Sequence, residues 1–285
     1  EPFEKHPDML LKLSDISIFI ANWEDKASNI RHIQKVLNIG MDSLVFVDDN
    51  PFERNLVRQM IPEITVPELP EDPALYRRFL QALNLFETSA YTKADDERTE
   101  QYKAESERVM LQQSFESIDD YLISLNIRAE AKPFDSFNIP RIAQLSQRSN
   151  QFNLRTVRYT ESEIAAINAD ENYIDLYFTL ADKFGSHGLV SAIIIKCSEK
   201  TAFIENWFMS CRVLKRSMEE FIINTAVSAA RKKGINTLNA EYIPTPKNAM
   251  VKDIYEKLGF TRTNEYSFTL DTTEFQENET FVALK

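Results

Sequence analysis

The chain has 285 residues, of which 43% are hydrophobic and 27% charged, and this predicts a globular protein of two domains. The formal net charge of -11 argues against a nucleic-acid partner, because binding to phosphates requires clustered Lys and Arg. The tight basic run, Arg231-Lys232-Lys233, precedes Gly234 and is typical of an ordinary helix end. Two cysteines are too few for a disulfide framework, and no run of about 20 apolar residues could span a bilayer. We therefore expect a cytoplasmic protein without a membrane partner.

The first section, to about Leu85, alternates strand and helix patterns. Apolar runs predict buried strands at 16–20, 44–47 and 64–66. Helices are predicted at 26–38, closed by Gly40, from Pro51 onward, and at 74–83. The first two of these helices should bury one apolar face each, made of Ile30, Ile33, Val36 and Leu37, and of Leu56, Val57 and Met60. This β-α-β-α order predicts a parallel α/β sheet.

An acidic pair, Asp48 and Asp49, follows the second predicted strand. Ligands gather at the carboxyl ends of parallel strands, and carboxylate oxygens are the ligands that Mg²⁺ prefers. Lys26 would bring a positive charge to a phosphate at the same place. The alternative is that the acidic residues only cap the next helix, at the turn marked by Asn50 and Pro51.

The stretch from Thr92 to Phe115 is rich in charge and predicts a solvated connecting helix, with Thr92 and Asp95 spaced as a helix cap. We place a first domain at 1–88, a linker at 89–116 and a second domain at 117–285. The second domain should be α+β. Its predicted strands lie at 127–131, 174–180, 189–196, 202–208, 237–242, 266–270 and 280–284. Its predicted helices lie at 139–148, 216–233 and 248–258, with capping pairs Ser117 with Asp120 and Thr160 with Glu163.

Several motifs occur in one order along the chain: Asn22-Trp23-Glu24-Asp25-Lys26, residues 46–54, and then 150–153, 184–190, 210–214 and 255–260. Together they resemble the haloacid dehalogenase superfamily of phosphohydrolases, and most closely its FkbH-like branch. The resemblance implies a phosphoryl site in which Asp48 or Asp49 holds Mg²⁺ and Lys26 stabilises the nucleophile and the phosphate. Lys26 and Asp49 are accordingly candidate catalytic residues. The first domain would be the C-terminal portion of such an α/β fold.

The family's Asp-x-Asp nucleophile motif and its following Ser or Thr motif do not occur in this sequence. We therefore expect both to lie upstream of residue 1, and we expect the chain alone not to hydrolyse phosphate esters. For the same reason Mg²⁺ binding by Asp48 and Asp49 alone should be weak or absent.

The second half is similar to the Gcn5-related (GNAT) acyltransferase fold. The similarity rests on the loop before the long helix, the strand at 237–242 and the helix end at 255–260. It implies that coenzyme A or phosphopantetheine binds with its phosphates on the loop, and that Asn248 and Tyr255 lie where that family contacts the cofactor and can protonate its thiolate. The implied loop residues are Arg212, Val213, Leu214, Lys215, Arg216 and Ser217.

The loop departs from the acyltransferase signature at two positions, because Lys215 and Ser217 stand where that family has glycine or alanine. Both replacements weaken a phosphate cradle, which needs close backbone approach, although Lys215 and Arg216 add positive charge. The alternative is a purely structural helix start. For Tyr255 the alternative is an ordinary half-buried aromatic residue.

Three further features were open to two interpretations. Cys211 could carry an acyl group if the positive helix start lowers its pKa, although a buried structural cysteine is the commoner outcome. His187 could be a base or a simple turn residue. The amides of residues 150–153 could bind a polar substrate or satisfy loop backbone.

The FkbH-like resemblance implies that a glyceryl group derived from phosphoglycerate is moved to the phosphopantetheine thiol of an acyl carrier protein, with release of phosphate. The expected partners are thus a phosphorylated small molecule and a carrier protein. Two alternatives remain. One is a plain Mg²⁺-dependent phosphatase with an appended, cofactor-free domain. The other is a degenerate acyltransferase fold that serves as a docking module for a biosynthetic protein.

Overall fold

The computed structural model describes residues 2–37, 39–86, 98–112 and 114–285. The chain divides into two compact units, Glu1–Ser114 and Phe115–Lys285. The predicted cap formed by Thr92 and Asp95 lies outside the described residues. In the parts of the chain that are described, no helix is both long and apolar enough to cross a membrane.

The described helices of the first unit are α1 (Pro2–Lys5), α2 (Lys26–Leu37), α3 (Pro51–Met60), α4 (Tyr76–Ala82) and α5 (Arg98–Gln112). The predicted helices at 26–38, from Pro51 and at 74–83 are confirmed by α2, α3 and α4. Gly40 does not close α2 in the predicted way. Its φ is -66°, so it is not in the left-handed conformation of a C-capping glycine, and it leads into a 3₁₀ turn at Met41–Ser43.

The predicted parallel sheet of the first unit reduces, among the described residues, to one parallel bridge between Val45 and Thr65. Phe46 N–H donates to Thr65 O at 2.9 Å, and Thr65 N–H donates to Leu44 O at 3.2 Å. Residues 16–20 form no strand. Val47 is 43% exposed, so the apolar run at 44–47 is not buried along its whole length as the prediction required. The parallel direction is confirmed, and the extent of the strands is wrong.

The core of the first unit lies between α2, α3 and the bridged segments. Its buried side chains are Ala27, Ile30, Val57, Ile61 and Ile64, with Met41, Leu44, Phe46 and Val66 packed against them. Three members of the predicted apolar faces are less buried than expected: Ile33 and Leu56 are half-buried, and Met60 is exposed.

Helix α5 is not the solvated connector that its charge predicts. It packs against α2, and the Arg108 side chain is buried beside Glu105, with 3.2 Å between Nη1 and Oε2. Lys103 Nζ donates to the Ser14 carbonyl. Charged side chains can cover neighbouring surface with their aliphatic stems, and this explains how so polar a helix is half-buried.

The second unit is an α+β structure built on a single sheet. Its helices are α6 (Ile118–Leu125), α7 (Ile139–Arg148), α8 (Glu161–Ala169), α9 (Met218–Lys232) and α10 (Ile254–Lys257). Its strands are β1 (Arg128–Pro133), β2 (Tyr173–Asp182), β3 (Gly185–Ser198), β4 (Thr201–Met209), β5 (Thr237–Glu241), β6 (Thr261–Arg262), β7 (Ser267–Asp271) and β8 (Ala283–Leu284). The predicted strands are confirmed, and β6 was not predicted. The helix predicted at 248–258 is wrong in extent, since a 3₁₀ turn (Ala249–Val251) precedes the short α10.

The sheet has eight strands in the order β6-β7-β5-β4-β3-β2-β1-β8. Strands β1 to β4 are antiparallel neighbours, whereas β5 lies parallel to β4. This mixed sheet confirms the predicted α+β class. Strands β4 and β5 pair only between 201–203 and 237–239, so the second half of β4 does not pair with β5.

The predicted helix ends of the second unit are confirmed. Ser117 accepts a hydrogen bond from Asp120 N–H, and Thr160 and Glu163 form a reciprocal capping box. Helix α9 ends in basic residues followed by Gly234, whose φ is +75°. The helix-end interpretation of this basic run is therefore confirmed, although Lys233 Nζ donates to the carbonyl oxygens of Glu171 and Tyr173, which lie outside α9.

Candidate functional site

The acidic loop lies between the bridged segment and α3. Asn50, rather than either aspartate, caps α3, because its side chain accepts from Phe52 N–H at 2.9 Å. Asp48 Oδ1 accepts from Asn50 N–H at 2.9 Å and is half-buried. Asp49 is exposed. The capping alternative is therefore met by Asn50, and the carboxylates of the pair remain at the loop surface.

Lys26 reaches this loop from the start of α2. Its Nζ lies 4.0 Å from Asp48 Oδ2. The preceding turn is held by Asp25, whose carboxylate accepts from Ser28 Oγ at 2.6 Å and Ser28 N–H at 2.8 Å. These hydrogen bonds lower the pKa of Asp25. The structure thus brings Lys26 and Asp48 together, as the haloacid dehalogenase resemblance implied.

Arg54 forms hydrogen bonds with the backbone of the acidic pair. It was not among the predicted site residues. Its side chain is only 5% exposed, and its Nη1 donates to the carbonyl oxygens of Asp48 and Asp49, each at 2.9 Å. Its Nη2 lies 2.6 Å from Glu68 Oε1, and Arg58 contacts the other oxygen of Glu68. Hydrogen bonds from Arg54 and then Arg58 lower the pKa of Glu68. The available signal was the sequence motif at 46–54, which ends at this arginine.

The donor set of the loop suits Mg²⁺ as a partial site. Within the described ranges, no group of three or more His, Cys, Asp and Glu is placed to hold a metal ion. Mg²⁺ commonly takes one or two carboxylates and fills its other positions with water and phosphate oxygens. The carboxylates of Asp48 and Asp49 fit that pattern.

Two non-glycine residues of the loop before α9 adopt a backbone conformation that favours glycine. Lys215 and Ser217 have φ values of +61° and +62°, which lie in the left-handed region. These are the two positions that depart from the acyltransferase signature. A non-glycine residue in this region is strained by about 1 kcal/mol or more.

We expect Lys215→Gly to be about 1 kcal/mol more stable to unfolding than Lys215→Ala. Both variants remove the same exposed side chain, and they differ in whether a Cβ is forced into the left-handed conformation. Urea unfolding followed by fluorescence of the buried Trp207 measures the difference. Equal stabilities would contradict a strained φ at this position.

Several amide and polar atoms of this loop form hydrogen bonds within the unit. Lys215 N–H donates to Glu219 Oε1 at 3.3 Å. Ser217 Oγ accepts from Phe281 N–H, and Ser217 O accepts from Thr280 Oγ1 at 2.8 Å. Burial raises the pKa of Glu219 to about 7. The residues present do not fit a coenzyme A pyrophosphate here, because a carboxylate already meets the loop amide.

Arg216 lies in a buried cluster rather than facing a ligand. Its Nη1 is 3.5 Å from Asp182 Oδ2 and 3.3 Å from His187 Nε2, and His187 Nε2 is 3.1 Å from the same Asp182 oxygen. His187 lies within β3, so the simple turn interpretation is wrong. In the rest of the loop, Val213 is buried, while Arg212 and Leu214 are half-buried.

Asn248, the predicted cofactor contact, is buried, and both the oxygen and the nitrogen of its side-chain amide form hydrogen bonds. Its Oδ1 accepts from Tyr242 Oη at 2.9 Å and Thr245 N–H at 2.7 Å. Its Nδ2 donates to Ile243 O at 2.9 Å and Asn153 O at 3.2 Å. The structure therefore uses this amide to join two loops.

Tyr255 is 0% exposed and packs among aromatic side chains, with ring centroids 5.0 Å from Phe260 and 5.2 Å from Phe268. Its hydroxyl is buried without a hydrogen-bond partner among the described residues. Burial raises the pKa of this phenol. The position favours the core interpretation over contact with a thiolate.

Tyr255→Phe should leave stability unchanged or raise it by about 1 kcal/mol, because it removes an unsatisfied buried hydroxyl. Tyr242→Phe is the matched control. Its hydroxyl donates to Asn248, so its loss should cost about 1–2 kcal/mol. Thermal unfolding monitored by circular dichroism checks both variants. A loss of more than about 1 kcal/mol in Tyr255→Phe would indicate a hydrogen-bonding role.

Cys211 begins a 3₁₀ turn (Cys211–Val213), and burial raises the pKa of its thiol. This favours the structural alternative over an activated thiol. Two of the three amides at 150–153 satisfy loop groups. Asn153 is buried and its Nδ2 donates to Val157 O at 3.2 Å, while Asn150 Oδ1 accepts from Arg158 at 2.6 Å at the surface.

No protein-family model matches the chain, and neither does any curated protein. Among solved structures, the chain is similar to the N-terminal part of protein BF1531 from Bacteroides fragilis, which contains a phosphatase domain complexed with Mg. That match is 64% identical, covers 32% of this chain and 24% of that one, and has a TM-score of 0.31. The chain thus spans less than two thirds of that relative's length.

Two acetyltransferases are similar to about half of this chain. A ribosomal-protein-alanine N-acetyltransferase from Escherichia coli is 18% identical, covering 53% of this chain and 98% of its own, with a TM-score of 0.40. Spermidine N-acetyltransferase from Vibrio cholerae, in complex with CoA and spermine, is 10% identical, covering 52% and 97%, with a TM-score of 0.40. At these values the likeness carries no argument about activity. The class of the second unit rests on its own mixed sheet.

Proposed function

We propose that this chain is part of a two-domain phosphatase and acyltransferase whose first unit handles the phosphoryl group. The observation that carries the proposal is the placement of Lys26 Nζ 4.0 Å from Asp48 Oδ2, on a loop that buried Arg54 holds in place. The 64% identity to a phosphatase-containing structure supports it.

Lys26, Arg54 and the acidic pair each have a distinct part in this proposal. Lys26 supplies a fixed positive charge toward a phosphate oxygen, and Arg54 keeps the backbone of the pair in position. Asp48 or Asp49 would hold Mg²⁺, which supplies neutralisation of the charge on a phosphoryl group. A cation that is already held in place needs no reorganisation when negative charge develops on the phosphoryl group. For this reason a loop held in position favours reaction at that group.

The finer proposal follows the FkbH-like resemblance. The substrate would be a phosphoglycerate-derived glyceryl group, the acceptor would be the phosphopantetheine thiol of an acyl carrier protein, and phosphate would be released. The support is the set of motifs that run through both units in the family's order.

A second candidate is a Mg²⁺-dependent phosphatase whose GNAT-like unit is a non-catalytic docking domain. A specific observation favours it, since Asn248, Tyr255 and Arg216 all lie buried within the second unit. The two candidates share the phosphate site and differ in whether a thiol is acylated.

The test uses the protein expressed from its complete gene, with phosphoglycerate, Mg²⁺ and a holo carrier protein. Transfer predicts both release of phosphate and a mass gain on the carrier that corresponds to a glyceryl group. Asp49→Asn and Lys26→Met should each lower phosphate release by about 100-fold or more. Undiminished release in both variants would refute the phosphate site, whereas release without carrier loading would select the second candidate.

A further inference from the structure

The acyltransferase resemblance implies coenzyme A at the loop 212–217. We infer instead that the chain fills this place with its own groups, and that the second unit excludes coenzyme A. Two separate regions support the inference, the start of α9 and the gap between β4 and β5. The inference goes beyond either function proposed above, and it favours the second candidate, because coenzyme A and a holo carrier protein present the same phosphopantetheine arm.

The start of α9 is already occupied by the carboxyl group of Glu219. Backbone N–H groups at a helix start favour negative charge, and phosphates bind there for that reason. In this chain Lys215 N–H donates to the carboxylate of Glu219, which is 7% exposed. Glu220 is a second acidic residue in the same turn. A pyrophosphate at this position would have to displace one carboxylate and lie close to another.

The other loop residues do not open the site. Ser217 is tied to Thr280 and Phe281, so the terminal segment occupies the carbonyl and hydroxyl next to the helix start. Arg216, which the sequence offered as a compensating charge, is buried with its guanidinium 3.5 Å from Asp182. Of these three residues, only Lys215 keeps an exposed side chain.

The gap in the sheet is filled as well. Beyond 201–203, where β4 leaves β5, the segment 152–154 pairs with β4: Met209 N–H donates to Phe152 O at 3.0 Å, and Leu154 N–H donates to Trp207 O at 3.1 Å. On its other side, Leu154 O accepts from Ile243 N–H at 2.8 Å. An extended ligand with amide groups that entered this gap would have to compete with the segment 152–154 for the backbone groups of β4.

Calorimetric titration of coenzyme A and of inorganic pyrophosphate into the protein tests the inference. The wild type should show no saturable binding of either compound. Glu219→Ala, which vacates the loop amide, should bind pyrophosphate at least about tenfold more tightly than the wild type. Glu219→Gln keeps the side-chain volume and removes the charge. It therefore separates steric occupancy of the loop amide from electrostatic repulsion of the pyrophosphate. It also replaces the alanine variant if that variant does not fold.

Saturable binding of coenzyme A by the wild type would overturn the inference. So would Glu219 variants that fold and bind pyrophosphate no better than the wild type, because the carboxylate would then not be what excludes anions. Neither result depends on release of phosphate or on loading of a carrier. Failure here is therefore distinguishable from failure of the proposed function.

Discussion

Arg54→Ala is expected to destabilise the first unit by about 2–4 kcal/mol. The guanidinium is nearly fully buried and donates to the carbonyl oxygens of both Asp48 and Asp49, which would lose their partners. Hydrogen exchange of the amides at 44–60 measures the effect directly, because a loosened loop and α3 should exchange faster. Binding of Mg²⁺ and phosphate at the loop should weaken in parallel.

Arg58→Ala is the matched control for this prediction. Arg58 lies one helical turn further along α3 and contacts the same Glu68 carboxylate, but it does not touch the carbonyls of the acidic pair. It is partly exposed, so its loss should cost less than about 1 kcal/mol. If the two variants exchanged amide hydrogens at the same rate, Arg54 would not be what holds the acidic loop. Trp207 fluorescence should report an unchanged second unit in both.

The second unit was the more predictable part of the fold, for a physical reason. Its strands are apolar runs bounded by turn residues. Strands that follow one another in the sequence, such as β2, β3 and β4, also pair in the sheet, so each strand finds its partner close by in the chain. The two-residue β6 is too short to give a recognisable sequence pattern. Between 248 and 258 the chain forms a 3₁₀ turn and the short α10 instead of the continuous helix predicted there.

In the first unit the apolar runs indicated which residues could be strands, but a strand also needs a partner along its length. Only Val45 and Thr65 are bridged among the described residues. The acidic pair and Lys26 could be placed from motif spacing. Arg54 and Glu219 were missed because burial of a charged side chain depends on distant neighbours, and surface exposure is the usual expectation for both residue types.

Asn248→Ala should cost the second unit about 3–5 kcal/mol, which corresponds to a fall in Tm of roughly 10 °C. The side chain makes four hydrogen bonds inside the protein, and alanine would remove all four, leaving Tyr242 Oη with its 3.3 Å bond to the backbone carbonyl of residue 248. A residue whose main purpose was to contact a cofactor would lose affinity on substitution while keeping stability. Urea unfolding followed by Trp207 fluorescence separates these roles.

Asn150→Ala is the control of the same residue type. The Asn150 amide accepts one exposed hydrogen bond from Arg158, so its removal should cost less than about 1 kcal/mol. The contrast matters because Asn248 joins the segment 152–154 to the loop at 243–248 through Asn153 O and Ile243 O. If Asn248→Ala unfolded at the same urea concentration as Asn150→Ala, that junction would carry little of the stability. The segment beside β4 would then be free to move aside for a ligand. A large difference instead means that the sheet gap is closed by a junction too stable for a small cofactor to displace.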